Sequence, residues 1–116
     1  MPTVHLFVCE DRFDSFKAMR SFIDPTYTED GDTVPSAFSE EIGLNSYEPM
    51  CIEAIHSSSP KPVRNLLSGT SYGDQWVSGV PADLEACQAV CVFEPNRVSD
   101  PDGSSLQYVG AYEYTP

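Results

Sequence analysis

Basic residues are scarce in this sequence. It contains 6 lysines and arginines against 18 aspartates and glutamates, and its formal net charge at pH 7 is −12. Between Arg20 and Lys61 there is no basic residue, while eight acids occur there: Asp24, Glu29, Asp30, Asp32, Glu40, Glu41, Glu48 and Glu53. Such a charge repels nucleic acid and anionic membranes and attracts cationic partners. Two interpretations stay open, which are selection for solubility and binding of a basic protein.

Long hydrophobic runs are absent as well. No stretch approaches the roughly 18 apolar residues of a membrane helix, and the apolar run at residues 4–8 is too short for a signal peptide. We therefore expect a cytoplasmic protein without membrane contacts. The cysteines are few, and we expect them to be free thiols rather than disulfides. They are Cys9, Cys51, Cys87 and Cys91.

The patterns that are present predict a small α+β protein. A length of 116 residues leaves room for one domain, residues 1–116. Runs rich in β-branched and aromatic residues predict strands at 3–9, 50–56, 88–94 and 106–114. Apolar spacing predicts a helix at 12–23 capped by Asp11, and a second helix at 37–42 between Ser36 and Gly43. Shorter helices are expected at 63–67 and 74–78, a helical turn at 83–87 and a loop at 57–62.

These elements predict a mostly antiparallel sheet of about four strands, with the helices packed on one face. The last two strands are expected to pair as a hairpin. The final strand is expected to alternate strictly, with its even-numbered residues on one side. One apolar face of the first helix is formed by Phe13, Phe16, Met19, Phe22 and Ile23, and we expect the three phenylalanines to be buried where it packs against the sheet.

Catalytic motifs are weak. The run Gly69-Thr-Ser-Tyr-Gly73 matches the nucleophile elbow of hydrolases, but that motif needs a strand before the serine, and residues 63–67 look helical. The only histidines, His5 and His56, could meet if their strands were neighbours, and a His–Ser pair with Glu53 would then resemble a triad. Bonds to backbone or water are the simpler expectation for both rings. The sequence therefore predicts a protein that is not an enzyme.

Metal motifs are weaker still. The Cys87-x-x-x-Cys91 spacing lacks the second ligand pair of a structural zinc site. The acidic turns at 30–32 and 100–103 lack the spacing of a calcium loop. We expect neither a metal nor a cofactor.

Aromatic residues in loops have two possible roles. Tyr27, Tyr47, Tyr72 and Trp76 lie near acids, and each either covers the core or anchors a partner. The combination of acids and aromatics defines the candidate partner-binding residues. They are Asp30, Asp32, Glu40, Glu41, Tyr47, Glu48, Asp74 and Trp76.

The order of several short motifs resembles the immunity protein 22 family, whose members are found beside polymorphic toxins in bacteria. The motifs are Val4-His-Leu-Phe-Val, Glu29-Asp-Gly-Asp32, Pro35-Ser-Ala-Phe38, Glu41-Ile-Gly-Leu44, Tyr47-Glu48, Glu53 and Leu106-Gln-Tyr-Val-Gly110. The sequence departs from the family's pattern at residues 7–9 and 49–51. The resemblance covers roughly residues 3–114.

The resemblance implies a protein that binds and neutralises a cognate bacterial toxin. The charge suggests that the toxin is a nuclease-type domain with a basic cleft, because such clefts hold phosphates. Two alternatives remain open. One is an acidic adaptor or DNA mimic that binds nucleic-acid-binding proteins generally, and the other is a small serine hydrolase that uses Ser71 or His56.

Overall fold

The computed structural model describes residues 2–44, 48, 51–94 and 96–116 of the chain. The strands are β1 (Thr3–Cys9), β2 (Thr26–Tyr27), β3 (Thr33–Val34), β4 (Ile52–Pro62), β5 (Glu85–Phe93) and β6 (Gln107–Glu113). The α-helices are α1 (Phe16–Ile23), α2 (Ala37–Ile42), α3 (Val63–Leu66) and α4 (Gly73–Trp76). Short 3₁₀ segments occupy Leu67–Gly69, Val77–Gly79 and Pro101–Gly103.

Four of the strands form one antiparallel sheet in the order β4-β5-β1-β6, and β2 pairs with β3 separately. The predicted α+β class and four-stranded antiparallel sheet are confirmed. The predicted hairpin of the last two strands is wrong, because β5 and β6 both pair with β1, which lies between them. The N-terminal strand therefore occupies the middle of the sheet.

Hydrophobic cores lie on both faces of this sheet. On one face Val4, Leu6 and Val8 of β1 pack with residues of α3 and α4. On the other face Phe7 packs with residues of α1 and α2. The expectation that the helices share one face is therefore wrong. Residues 86–93 of β5 are all buried, without alternation, as is typical of a strand that is covered on both faces.

Helix α1 begins at Phe16, later than predicted, and its cap is Ser15 rather than Asp11. The Ser15 hydroxyl accepts a hydrogen bond from the Ala18 amide at 3.0 Å. The preceding segment is held away from helical geometry because the backbone of Phe13 bonds elsewhere: its N–H donates to the Gln88 side chain at 3.2 Å, and its carbonyl accepts from that side chain at 3.0 Å. Phe13 is buried as predicted.

The other two phenylalanines of this segment are less buried than predicted. Phe22 is partly buried, and Phe16 is 51% exposed, so its predicted burial is wrong. Met19 and Ile23, which also belong to the predicted apolar face, are the buried residues of α1.

Helix α2 has the predicted limits. The Ser36 hydroxyl accepts from the Ser39 amide at 3.0 Å, and Gly43 ends the helix in the left-handed region, with φ 61°. The Leu44 amide then bonds back to the Ser39 carbonyl at 2.9 Å. This arrangement satisfies carbonyls that the end of the helix would leave without partners.

Two segments predicted as loop or helix are strand instead. Residues 57–62 belong to β4, and residues 85–87 begin β5, since Lys61 pairs with Ala86 and Pro62 with Glu85. Proline is tolerated there because β4 lies at the edge of the sheet. Met50, the predicted start of this strand, lies outside the described residues.

Strand β6 does not alternate strictly. Leu6 pairs with Gly110 while Phe7 pairs with Tyr108, so Val109 is an extra residue at a bulge. Tyr108 consequently packs on the face of α1 and α2, whereas Tyr112 packs on the opposite face. Among the described residues, no helix has the length and hydrophobicity to cross a membrane.

Candidate partner-binding surface

The short β2–β3 hairpin, which we call the acidic hairpin (residues 26–34), links α1 to α2. Its turn is closed by a bond from the Thr28 amide to the Asp32 carbonyl at 2.9 Å and by one from the Gly31 amide to the Thr28 carbonyl at 3.0 Å. Gly31 adopts φ 86°, a conformation that glycine takes without strain. Every residue from 26 to 35 is exposed. The acidic hairpin therefore presents its side chains to solvent.

Three carboxylates stand on this hairpin, at Glu29, Asp30 and Asp32. Within the part of the chain that the structure describes, they make no hydrogen bond or ion pair. Tyr27, on the same hairpin, is 68% exposed. The acidic hairpin thus combines unpaired negative charge with an exposed aromatic ring.

Helix α2 continues the acidic surface only in part. Glu40 is exposed, and in the described part of the chain its side chain has no partner. Glu41 differs, because its Oε1 accepts from the Ser105 amide at 2.7 Å and from the Ser105 hydroxyl at 2.9 Å. The carboxylate of Glu41 therefore anchors the segment that leads into β6.

Two more acids of the segment between Arg20 and Lys61 are used inside the molecule. Asp24 forms a bidentate ion pair with Arg20, in which Nη2 donates to Oδ1 at 2.5 Å and Nε donates to Oδ2 at 3.1 Å. Glu53 accepts from the Thr70 hydroxyl at 2.6 Å and from the Ser71 amide at 3.2 Å. Among the described acids of the segment, the exposed carboxylates without a hydrogen-bond partner are therefore those of the acidic hairpin and Glu40.

The remaining candidate residues are placed differently. Glu48 is half-buried, and its amide donates to the Asn96 side chain at 2.7 Å. Asp74 is exposed on α4. Trp76 is only 2% exposed, and its indole N–H donates to the Ser71 carbonyl at 3.1 Å, so its ring belongs to the core. Tyr47 lies outside the described residues.

The structure does not assemble the triad that the histidines suggested. Strand β5 separates β1 from β4, so His5 and His56 are not on neighbouring strands. His56 Nε2 lies 2.7 Å from the Phe13 carbonyl, and His5 Nδ1 lies 3.0 Å from the Tyr108 hydroxyl. Burial lowers the pKa of His5, with the charge of Glu94 acting in the opposite direction.

Ser71 has a structural role. Its hydroxyl donates to Glu53 Oε2 at 2.5 Å, and a 3₁₀ segment, Leu67–Gly69, precedes it in place of the strand of a nucleophile elbow. A serine whose hydroxyl faces a carboxylate without an imidazole lacks the usual activating base. The Gly69–Gly73 motif therefore positions Glu53.

The cysteines are free, as expected, and all four are described. Burial raises the pKa of Cys9 to about 11 and that of Cys91 to about 12, so both stay protonated thiols at neutral pH. Among the described residues, no three side chains of His, Cys, Asp or Glu come together as metal ligands would.

Comparison with known proteins places the chain in a family. No curated protein and no solved structure matches it. A family model described as immunity protein 22 matches residues 6–115, nearly the whole of the 116-residue chain. A match of this extent confirms the resemblance that the order of the sequence motifs suggested. The chain therefore belongs to the immunity protein 22 family.

Proposed function

We propose that this protein protects its own cell by binding a cognate toxin through the acidic hairpin and Glu40. Family membership implies a toxin partner. The observation that carries the proposed surface is the exposed hairpin with three unpaired carboxylates next to Tyr27. The whole chain acts as one binding domain in the cytoplasm, without catalysis or a cofactor.

The charges of the hairpin affect the rate of association, whereas its aromatic ring affects the rate of dissociation. Exposed carboxylates attract a basic surface over a distance and accelerate the encounter, an effect that salt weakens. A nuclease-type toxin offers such a surface, because its cleft must hold phosphates. Tyr27 supplies the contact that loses water on binding and so slows dissociation.

The test compares two doubly charge-reversed variants that change the net charge equally. Asp30→Lys/Asp32→Lys alters the acidic hairpin. The control, Asp83→Lys/Glu85→Lys, alters exposed acids at the start of β5. These control acids lie at the opposite end of β5 from the hairpin. The hairpin follows α1, whose Arg20 donates to the Ile52 carbonyl, and Ile52 pairs with Val92 near the far end of β5.

The toxin encoded beside the gene is the partner, and kinetics are measured at two salt concentrations. The hairpin variant should associate at least about tenfold more slowly at low salt and lose most of its salt dependence, since steering supplies such factors. Tyr27→Ala should dissociate about tenfold or more faster. If the hairpin variant and Tyr27→Ala both associate and dissociate at the rates of the control, the interface does not include the acidic hairpin.

Protection of toxin-producing cells tests the function itself. The unmodified protein should restore growth. Failure to bind or protect against the neighbouring toxin would overturn the proposed function. Equal binding to several unrelated nucleic-acid-binding proteins would favour the acidic adaptor instead.

A further inference from the structure

A second surface feature lies at the end of β5, beside the core that contains α3 and α4 and not the core of α1 and α2, the helices that the acidic hairpin links. It is a cavity of about 280 Å³ bounded by Glu53, Ser71, Tyr72, Phe93, Glu94 and Tyr114. Its volume lies just below the range of roughly 300–1,000 Å³ that is usual for small-molecule sites. It has room for a single side chain of a partner.

Aromatic rings form one wall of the cavity. The rings of Tyr72 and Tyr114 stack with centroids 4.7 Å apart and planes at 20°. The ring of Phe93 meets Tyr114 edge-on at 5.5 Å. Phe93 and Tyr114 are buried, but Tyr72 is 39% exposed. The stack therefore ends in an aromatic face that is open to solvent.

The backbone at Tyr72 is held in an unusual conformation. Its φ is 57°, in the left-handed region, and it is the one residue other than glycine found there among those described. The neighbouring turn fixes it, with a bond from the Gln75 amide to the Tyr72 carbonyl at 2.9 Å. A bulky residue in this region costs free energy, so the ring is held on Tyr114 at some expense of stability.

Two carboxylates complete the cavity. Glu53 is fixed by Thr70 and Ser71, whose hydroxyls donate to its two oxygens at 2.6 and 2.5 Å. Glu94 is exposed. Arg97 borders the adjacent cavity that also contains Glu94, yet these two described residues form no ion pair. The lining thus carries two negative charges, and none of its described residues is basic.

From this combination we infer that the cavity receives one arginine side chain of the toxin, an inference that rests on the proposed function. A guanidinium group is planar, so it stacks on the open face of Tyr72 while its N–H groups donate to Glu94 and Glu53. A lysine ammonium matches the charge but not the flat aromatic wall. The cavity is a specificity contact, whereas the acidic hairpin governs the speed of association.

Two variants test the cavity, and urea unfolding of each checks that it remains folded. Tyr72→Gly removes the ring and leaves a residue that adopts φ 57° without strain. Glu94→Gln removes one charge at almost constant volume. Glu85→Gln is the matched control, because it removes an exposed charge at the other end of β5.

Affinity for the neighbouring toxin is measured by calorimetry with each variant, and the rate of dissociation is measured by binding kinetics. Tyr72→Gly and Glu94→Gln should each weaken binding about tenfold or more, mainly through faster dissociation, while Glu85→Gln changes it less than about twofold. Alanine substitution of toxin arginines should then reveal one whose loss is strongly non-additive with both variants.

Failure of this inference is distinguishable from failure of the proposed function. If the unmodified protein does not bind the toxin, both fall. If it binds and protects, but Tyr72→Gly and Glu94→Gln bind as tightly as the control, the arginine cavity alone is overturned. A lysine of the toxin that couples to both variants, with no arginine doing so, would also overturn it.

Discussion

Phe38 and Phe16 both belong to helices on the same face of the sheet, and they differ in burial. Phe38 is fully buried, and its ring meets Phe7 edge-on at 5.2 Å and Phe22 at 5.8 Å. Phe16 lies in the first turn of α1 and is 51% exposed. The side chain of Phe38 therefore contributes to the free energy of folding far more than that of Phe16 does.

Replacing each ring with alanine should separate the two cases. Phe38→Ala should lower the free energy of unfolding by about 3–5 kcal/mol, because it leaves a cavity in a closed cluster. Phe16→Ala should change it by about 0.5 kcal/mol or less. Urea unfolding of both variants at 25 °C is the measurement. Similar losses in the two variants would contradict the placement of α1.

Burial of individual residues is only partly predictable from the sequence. The apolar spacing of residues 13–23 identified Met19 and Ile23 as core positions but also included Phe16. The helix begins later because Gln88 and His56, more than 40 residues away, bond the backbone of Phe13. Local spacing contains no information about such distant partners.

At the scale of elements, α2 is the clearest success of sequence reasoning, because its limits depend on local chemistry. Ser36 and Gly43 are good cap residues whatever surrounds them. Gly43 is also constrained by a neighbour, since a Cβ added to it would collide with the Ser99 hydroxyl oxygen. That hydroxyl donates to the Gly43 carbonyl at 2.8 Å.

Substitution of Gly43 should therefore be costly. Gly43→Ala should destabilise the protein by about 1–3 kcal/mol, through strain at φ 61° and displacement of Ser99. Gly69→Ala is the control, because a Cβ added to Gly69 would meet no atom within 4 Å and the residue lies in a 3₁₀ segment. Thermal and urea unfolding should show little change in the control. An equally small change for Gly43→Ala would exclude the left-handed cap.

Pairing of strands was harder to predict than their positions. All four strands of the main sheet were located, although β4 and β5 were each predicted too short at one end, yet the predicted β5–β6 hairpin was wrong. Strand β1 inserts between them from the start of the chain, and nothing local to residues 88–114 indicates this. The unbroken apolar run at residues 89–93 was a signal in the sequence that both faces of the sheet are covered.

The candidate surface shows the same division between local and distant information. The acidic turn at residues 30–32 was predicted from its own residues, and the hairpin that contains it carries the exposed acids. Sequence reasoning could not separate Glu40 from Glu41, because the partner of Glu41 is Ser105, 64 residues away. It also grouped Trp76 with the interface, although its ring is buried against Tyr112 and Phe93.

Across the whole molecule, negative charge is poorly compensated. The formal net charge is −12, and among the described residues the one ion pair between side chains joins Arg20 and Asp24. Such a molecule repels itself, and the repulsion destabilises its compact state. The folded protein is small, with a radius of gyration of 13.8 Å, so its charges lie close together.

Salt should therefore stabilise this protein. The Debye length falls from about 30 Å at 0.01 M ionic strength to about 8 Å at 0.15 M, so charges that interact across the whole molecule become screened from one another. The loss of attraction in the partly exposed Arg20–Asp24 pair is small by comparison, since surface pairs contribute about 0–1 kcal/mol. Urea is the suitable denaturant because it is uncharged, and the urea concentration at the midpoint of unfolding should rise as sodium chloride increases over this range.

The variant Asp30→Asn/Asp32→Asn removes two charges from the acidic hairpin. It should raise the midpoint of unfolding at low salt and reduce the dependence of the midpoint on salt. A midpoint that falls with salt in the unmodified protein would mean that local attraction, and not the uncompensated charge, dominates its electrostatics.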